Sequence, residues 1–195
     1  MKALSEAELV RLARGGDAAA RDELAHRHRQ PAYFLALQLL GNPDDALDVA
    51  QDAMLRFFST LHRFDAKRPV RPWLFQIVRN RVLDLYRRRK VRKHDSIDQA
   101  ACEGDDRPAL ELVDTTVNLE RDVAHTQLQA RLWQALSELT QAQREILVLR
   151  DYQDLAYSEI ADTLNIPMGT VMSRLHGARK RLRAVLKDDL RTLLD

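Results

Sequence analysis

YSEIADTLNIPMGTVMSRLHGARKRL, running from Tyr157 to Leu182, is the stretch that decides how the rest of the chain is read. Ile160, Ala161 and Leu164 recur at helical spacing and predict one amphipathic helix. Asn165, Ile166 and Pro167 interrupt it, and Gly169-Thr170 opens a second helix whose Val171, Leu175, Ala178 and Leu182 share a face. Two helices joined by so tight a turn, with small Ala161 allowing close approach, form a helix-turn-helix. Such a unit lays its second helix in the major groove of a duplex. Opposite the apolar stripe lie Ser173, His176, Gly177 and Lys180, the candidates to reach base edges. Arg174, Arg179, Arg181 and Arg183 flank them and suit phosphates, which supply affinity and position rather than sequence choice. A merely solvated basic helix would share the charges but not the coincidence of turn, glycine and basic flank.

Working outward, the 195 residues suffice for one ordinary domain or two small ones. Apolar residues make up 45%, enough to build cores, and only six glycines and six prolines interrupt the chain. Long stretches without a breaker favour helix over short-stranded sheet. The expected fold is all-α: a helical domain over residues 1–93, an irregular acidic linker over 94–125, and a second helical domain over 126–195 that carries the helix-turn-helix. Net charge is only +2 although 31% of residues are charged. Arg79 to Lys93 and Arg174 to Lys187 are basic, and Asp95 to Asp122 between them is mostly acidic. That segregation points to local binding surfaces.

The lone Cys102 excludes an intramolecular disulfide and a cysteine metal cage. The opening MKALSEAELVRLARGGD lacks the apolar run of a signal peptide, and no segment approaches the roughly 20 apolar residues of a membrane span. A cytoplasmic protein without membrane insertion is expected.

In the N-terminal part, Ser5 and Glu8 have capping-box spacing for a first helix that ends at Gly15-Gly16. Asp17 can cap a second through Leu40, with Leu24, Tyr33 and Leu37 among its apolar positions, kinked or split at Pro31 and closed by Gly41. Asn42-Pro43 reads as N-cap and first helical position of a third helix with Ala46, Val49, Ala50, Ala53, Met54 and Phe57 at helical spacing. A basic loop, Arg63 to Pro72, leads to a fourth marked by Trp73, Leu74, Ile77, Val78, Val82 and Leu85. From Thr126 one helix is expected to about Ser137, another from near Thr140, and two shorter ones around Asn165-Ile166-Pro167.

The fourth helix ends in Arg87-Arg88-Arg89-Lys90, more charge than its dipole alone explains. Trp73, Asn80, Asp84 and Arg87 fall along one side of it, and such a set beside a basic loop can hold an unstacked base, although a lone tryptophan is more often core. On the third helix Asp48, Gln51 and Asp52 lie together, beyond the turn where the dipole would account for acids. No Glu-x-x-His pair accompanies them, so a docking surface for a basic partner helix fits better than a metal site. The six histidines are scattered, and no Gly-rich phosphate loop, Gly-x-Ser-x-Gly elbow or His-Glu-x-x-His motif occurs. Neither catalytic residues nor a metal or cofactor site is expected. Residues 126–195 alone would suit a stand-alone regulator of duplex DNA, but such a protein needs neither the third helix nor the Trp73–Asn80–Asp84 face.

Three stretches carry a resemblance to the extracytoplasmic-function branch of bacterial sigma factors: DDALDVAQDAMLRFF (44–58), RPWLFQIVRNRVLDLYRRRK (71–90) and the helix-turn-helix stretch itself. The resemblance implies a factor that binds core RNA polymerase through its beta and beta-prime subunits and carries it to promoter DNA. It also implies an anti-sigma partner. Asp48, Gln51 and Asp52 would face the polymerase clamp. Phe64, Asp65, Lys67, Arg68 and Arg71, with Asn80, Asp84, Arg87 and Arg88, would hold the downstream promoter element, including a base flipped from the non-template strand. Thr170, Met172, Ser173, Arg174, His176, Gly177, Lys180 and Arg181 would read the upstream element. Many relatives carry Arg at the positions of Met172 and Gly177, and an arginine reading guanine contributes about 1–3 kcal/mol of discrimination. The upstream preference of this chain is therefore expected to depart from theirs.

Overall fold

The structure, a computed structural model, describes residues 4–95 and 133–192. All regular structure among them is helical, and no described helix is long and apolar enough to cross a membrane. The chain divides into two compact units, Met1–Pro108 and Ala109–Asp195. Cys102 and the acidic segment expected as a linker lie almost entirely outside the described residues.

In the first unit, α1 (Glu6–Arg14) is capped by Ser5, whose hydroxyl accepts from the Glu8 amide while the Glu8 carboxylate accepts from the Ser5 amide. Glu8 is exposed, and these bonds with Ser5 hold its carboxyl below the ordinary range. Gly16, at φ 92°, lets the chain turn directly into α2 (Ala18–Leu40), capped by Asp17. Pro31 does not split α2. The Leu24, His28, Ala32 and Leu35 face is buried on both sides of it, and that packing outweighs the one backbone bond that proline removes. Gly41 ends the helix in the left-handed region at φ 73°, and Asn42 then caps α3 (Pro43–Thr60) through the Asp45 amide. Ala46, Val49, Ala50, Ala53 and Phe57 form the buried stripe of α3, with Met54 half-buried beside it.

A short 3-10 turn, Leu61–Arg63, leads through residues 64–69 into α4 (Val70–Asp95). The basic loop is thus shorter than its sequence suggests. Pro72 sits in the first turn of α4, where its missing N–H has no intrahelical partner to lose. Leu74, Phe75, Val78 and Val82 are buried in this helix. The Tyr86 hydroxyl donates to the Leu39 carbonyl at 2.8 Å and Arg89 meets Asp45 at 2.6 Å, tying α4 to α2 and α3.

In the second unit, residues 133–137 are helical and Thr140 caps α5 (Gln141–Leu147) in a capping box with Gln143. The same rod continues as a widened π turn, Val148–Tyr152, which the sequence does not announce. Beyond it, α6 (Tyr157–Leu164) starts where the Glu159 carboxylate accepts from the Ala156 amide at 2.8 Å. It ends at Asn165, left-handed at φ 53°, with the Ile166 amide bonded back to the Ala161 carbonyl at 3.0 Å. The Pro167 carbonyl accepts the first bonds of α7 (Met168–Thr192). At 25 residues α7 is far longer than expected, because no proline follows Pro167 and the run after Gly177 is rich in Ala, Arg, Lys and Leu.

Candidate nucleic-acid interface

The helix-turn-helix core is made as the periodicity requires: Ile160 and Leu164 from α6 and Val171, Leu175 and Ala178 from α7 are buried, while Ala161 and Leu182 are half-buried. Met172, Ser173, Arg174, His176, Lys180 and Arg181 are exposed, and Thr170 and Gly177 are half-exposed. Met172, His176 and Lys180 line one groove of about 520 Å³ with Tyr157, Arg179 and Arg183. Thr170, Ser173, Arg174, Gly177 and Arg181 are not among its walls. The Ser173 hydroxyl donates to the Thr170 carbonyl at 3.2 Å, a bond it would exchange to meet a base. Met172 is 50% exposed, an apolar side chain on the face expected to meet the duplex.

Arg179, counted with the phosphate contacts, has a partner inside the protein. Its guanidinium grips both carboxylate oxygens of Asp151 in the π turn, one at 3.2 Å and the other closer. That bond raises the arginine pKa further above its usual value. Tyr157, not singled out from sequence, lines the same groove under the guanidinium of Arg150, 5.3 Å from its ring centre. Burial, with Asp151 next to it, raises the pKa of Tyr152.

On α4, Asn80, Asp84 and Arg87 converge as expected, lining a groove of about 330 Å³ with Ile77 and Arg81. Arg56 of α3 completes its wall, and only the packing of α3 against α4 reveals it. Asp84 lies between Arg87 at 3.2 Å and Arg81 at 3.8 Å, so one carboxylate sets the direction of two guanidinium groups. Asn80 and Arg88 are exposed.

Residues 64–71 do not line this groove. Phe64, expected at the downstream-element site, turns inward against Trp73. Phe64 is 5% exposed and stacks on Trp73 with centroids 4.6 Å apart and planes 19° apart, and Trp73 also lies 5.2 Å from Phe57. Phe64 is core, and Trp73 is half-buried against it. Asp65 orders the loop itself, its carboxylate accepting from the Lys67 amide at 3.0 Å and its carbonyl from the Arg68 amide at 2.9 Å. Lys67, Arg68 and Arg71 are exposed, with the Arg71 guanidinium 5.4 Å over the Phe75 ring.

The third surface is the outer face of α3. Asp48, Gln51 and Asp52 are exposed together, and the apolar Leu47 and Leu55 (71% exposed) border them.

Two family models match the chain: Sigma-70 region 2 over residues 24–92 and Sigma-70, region 4 over residues 129–182. The chain is 30% identical to the ECF RNA polymerase sigma factor SigW of Bacillus subtilis, over 92% of this chain and 95% of that one. It is 33% identical to the RNA polymerase sigma factor CnrH of Cupriavidus metallidurans, over 93% and 94%. The solved structure of CnrH in complex with the cytosolic domain of CnrY matches with a TM-score of 0.69 at 29% identity, covering 94% of this chain and 98% of that one.

Proposed function

Because the chain belongs to the extracytoplasmic-function branch of the sigma-70 family and is a transcription initiation factor of that kind, we propose a division of labour among its three surfaces. Residues 1–93 act as the region that joins core polymerase and opens the downstream promoter element. Residues 126–195 act as the region that reads the upstream one. The outer face of α3, through Asp48, Gln51 and Asp52, docks on the beta and beta-prime subunits. The α4 groove takes the separated non-template strand: Asn80 offers an amide to a base edge, Arg87 and Arg88 attract phosphates, and Asp65, Lys67, Arg68 and Arg71 shape and charge the loop. On α7 the base-facing set is Met172, Ser173, His176, Gly177 and Lys180, with Thr170, Arg174 and Arg181 at the backbone.

The observation that carries this reading is the α3 face. A regulator that only grips duplex DNA has no use for exposed acids bordered by exposed leucines, which repel phosphate and invite a protein partner. The chain contributes no bond-breaking chemistry of its own, and strand separation draws on the binding of unstacked bases. It works in the cytoplasm, where polymerase and promoters are. An anti-sigma protein holds it inactive, as the complex of CnrH with CnrY suggests by likeness.

The test is run-off transcription from a library of genomic promoter fragments with sigma-free core polymerase. Transcripts that depend on the chain are expected, and their aligned upstream sequences will show its preference. Failure to associate with core polymerase at all would refute the reading in favour of a stand-alone DNA-binding regulator.

A further inference from the structure

The region 2 match begins at residue 24, which leaves α1 outside it, yet α1 is bonded to both ends of the loop that precedes α4. At its C-terminal end, Arg14 Nε donates to the Leu61 carbonyl at 3.0 Å, where the chain enters the loop. At its N-terminal end, Glu6 Oε2 accepts from the Val70 amide at 3.1 Å, where the chain leaves it. Val70 is the first residue of α4, so this carboxylate serves as a cap supplied from another helix to an amide that has no partner within its own.

The splint is itself held at both ends. Arg21 of α2 donates to the Ala13 carbonyl at 3.0 Å, and Arg27 reaches the Leu4 carbonyl at 3.4 Å. The second oxygen of Glu6 lies 2.9 Å from Nε2 of His28, a buried histidine on α2. That contact is close in distance but off the line of a directed hydrogen bond, and His28 Nδ1 has no hydrogen-bond partner among the described residues. Contact with His28 is the main reason the Glu6 carboxyl stays below its ordinary range, with the Val70 amide adding to it. Between the two grips, the Phe64–Trp73 stack and the Asp65 turn help to fix the course of the loop.

We propose that α1 positions this loop for single-stranded DNA, with Glu6 and Arg14 as positioning residues that fix where the loop starts and stops. The inference rests on the assignment of the loop to the downstream promoter element. Without the two grips, the loop would have to order itself as it binds, and binding would weaken by that ordering. The contacts are made to the protein's own backbone, so neither residue needs to touch DNA in this role.

The experiment uses the full chain on core polymerase. It reads three quantities: affinity for core polymerase, fluorescence of 2-aminopurine placed in the non-template strand of the downstream element, and the fraction of promoter opened. The double variant Glu6→Ala, Arg14→Met is expected to reduce the opened fraction and the 2-aminopurine signal about fivefold, the low end of what one stacked base contributes. Core affinity should stay within about twofold, because the α3 face is untouched. Glu6→Gln keeps an acceptor for the Val70 amide and should behave nearly as the parent. If the double variant does not fold, Arg14→Met alone carries the same expectation, since it keeps the stem and removes only the donor. Variants that remain folded and open promoters as the parent does would overturn the splint. So would parallel loss of core affinity and opening, the mark of ordinary destabilisation. A parent chain that joins core polymerase but opens no promoter would instead overturn the loop assignment, and the splint role with it.

Discussion

Replacing Phe64 by alanine separates a residue that holds the loop from one that touches DNA. The ring is buried and stacked on Trp73 at 4.6 Å. Returning a buried phenylalanine side chain to water costs about 1.5–3 kcal/mol, and losing an aromatic pair about 0.5–1.5 kcal/mol more. The loop sits at the margin of the core and can partly collapse, so about 3 kcal/mol is the expected loss. For a unit of this size that lowers the melting temperature by about 12–24 °C. The assay is thermal unfolding followed by tryptophan emission in a Trp133→Phe background, which leaves Trp73 as reporter. Phe64→Leu, which keeps most of the volume but not the stack, should lose only about 1 kcal/mol. A Phe64→Ala variant whose melting temperature falls by less than about 4 °C while promoter opening is lost would refute the burial argument. It would mean that the ring acts on DNA.

Four further outcomes are expected. The folded Glu6 carboxyl is held below its ordinary value, chiefly by His28, so its contribution is fully present above the unfolded carboxylate pKa and is lost as pH falls through the lowered folded value; the stability gap between parent and Glu6→Gln in urea titrations should narrow as pH falls below the ordinary carboxylate range. A Cβ at Gly177 meets open space on a helix interior, so Gly177→Ala should stabilise the C-terminal unit by about 0.5–1 kcal/mol in thermal melts. Lys180→Glu should weaken binding to upstream-element duplex by removing a donor to base edges, whereas unchanged binding would displace α7 from the groove. Asn80→Ala should impair open-complex formation more than attachment to core polymerase, as read by permanganate footprinting against core affinity, and equal loss of both would count against a base-holding role.

Signals confined to a few neighbouring residues were legible in the sequence. Ser5 with Glu8, Asp17, Gly41, Asn42 and Thr140 each mark a helix boundary because capping is a bond between residues three or four apart. The stripes of α3, α6 and α7 were legible because burial follows the helical period. Pro31 and Pro72 misled for one reason: the effect of a proline depends on where in a helix it falls and on what packs around it, and neither is a local property. Asn80, Asp84 and Arg87 could be grouped because they share a helix, but Arg56 could not, since only the tertiary fold brings α3 beside them. Trp73 and Phe64 show the converse. Their aromatic character suited either a core or a base platform, and only the partner of each ring decides.

The π turn at Val148–Tyr152 bears on how this chain should be aligned with its relatives. The Gln153 amide bonds to the Val148 carbonyl five residues back, so one more residue is fitted into that turn than an α-helix would hold. Each residue advances an α-helix by about 100°. A relative that is one residue shorter here can therefore keep every α-helical bond of α5, provided that the turn tightens to ordinary pitch. What it loses is phase: Asp151 leaves the side that meets Arg179. This turn is thus the place in the C-terminal unit where a single-residue gap is structurally cheap. Substitution patterns should be compared across it only after the two halves have been aligned separately.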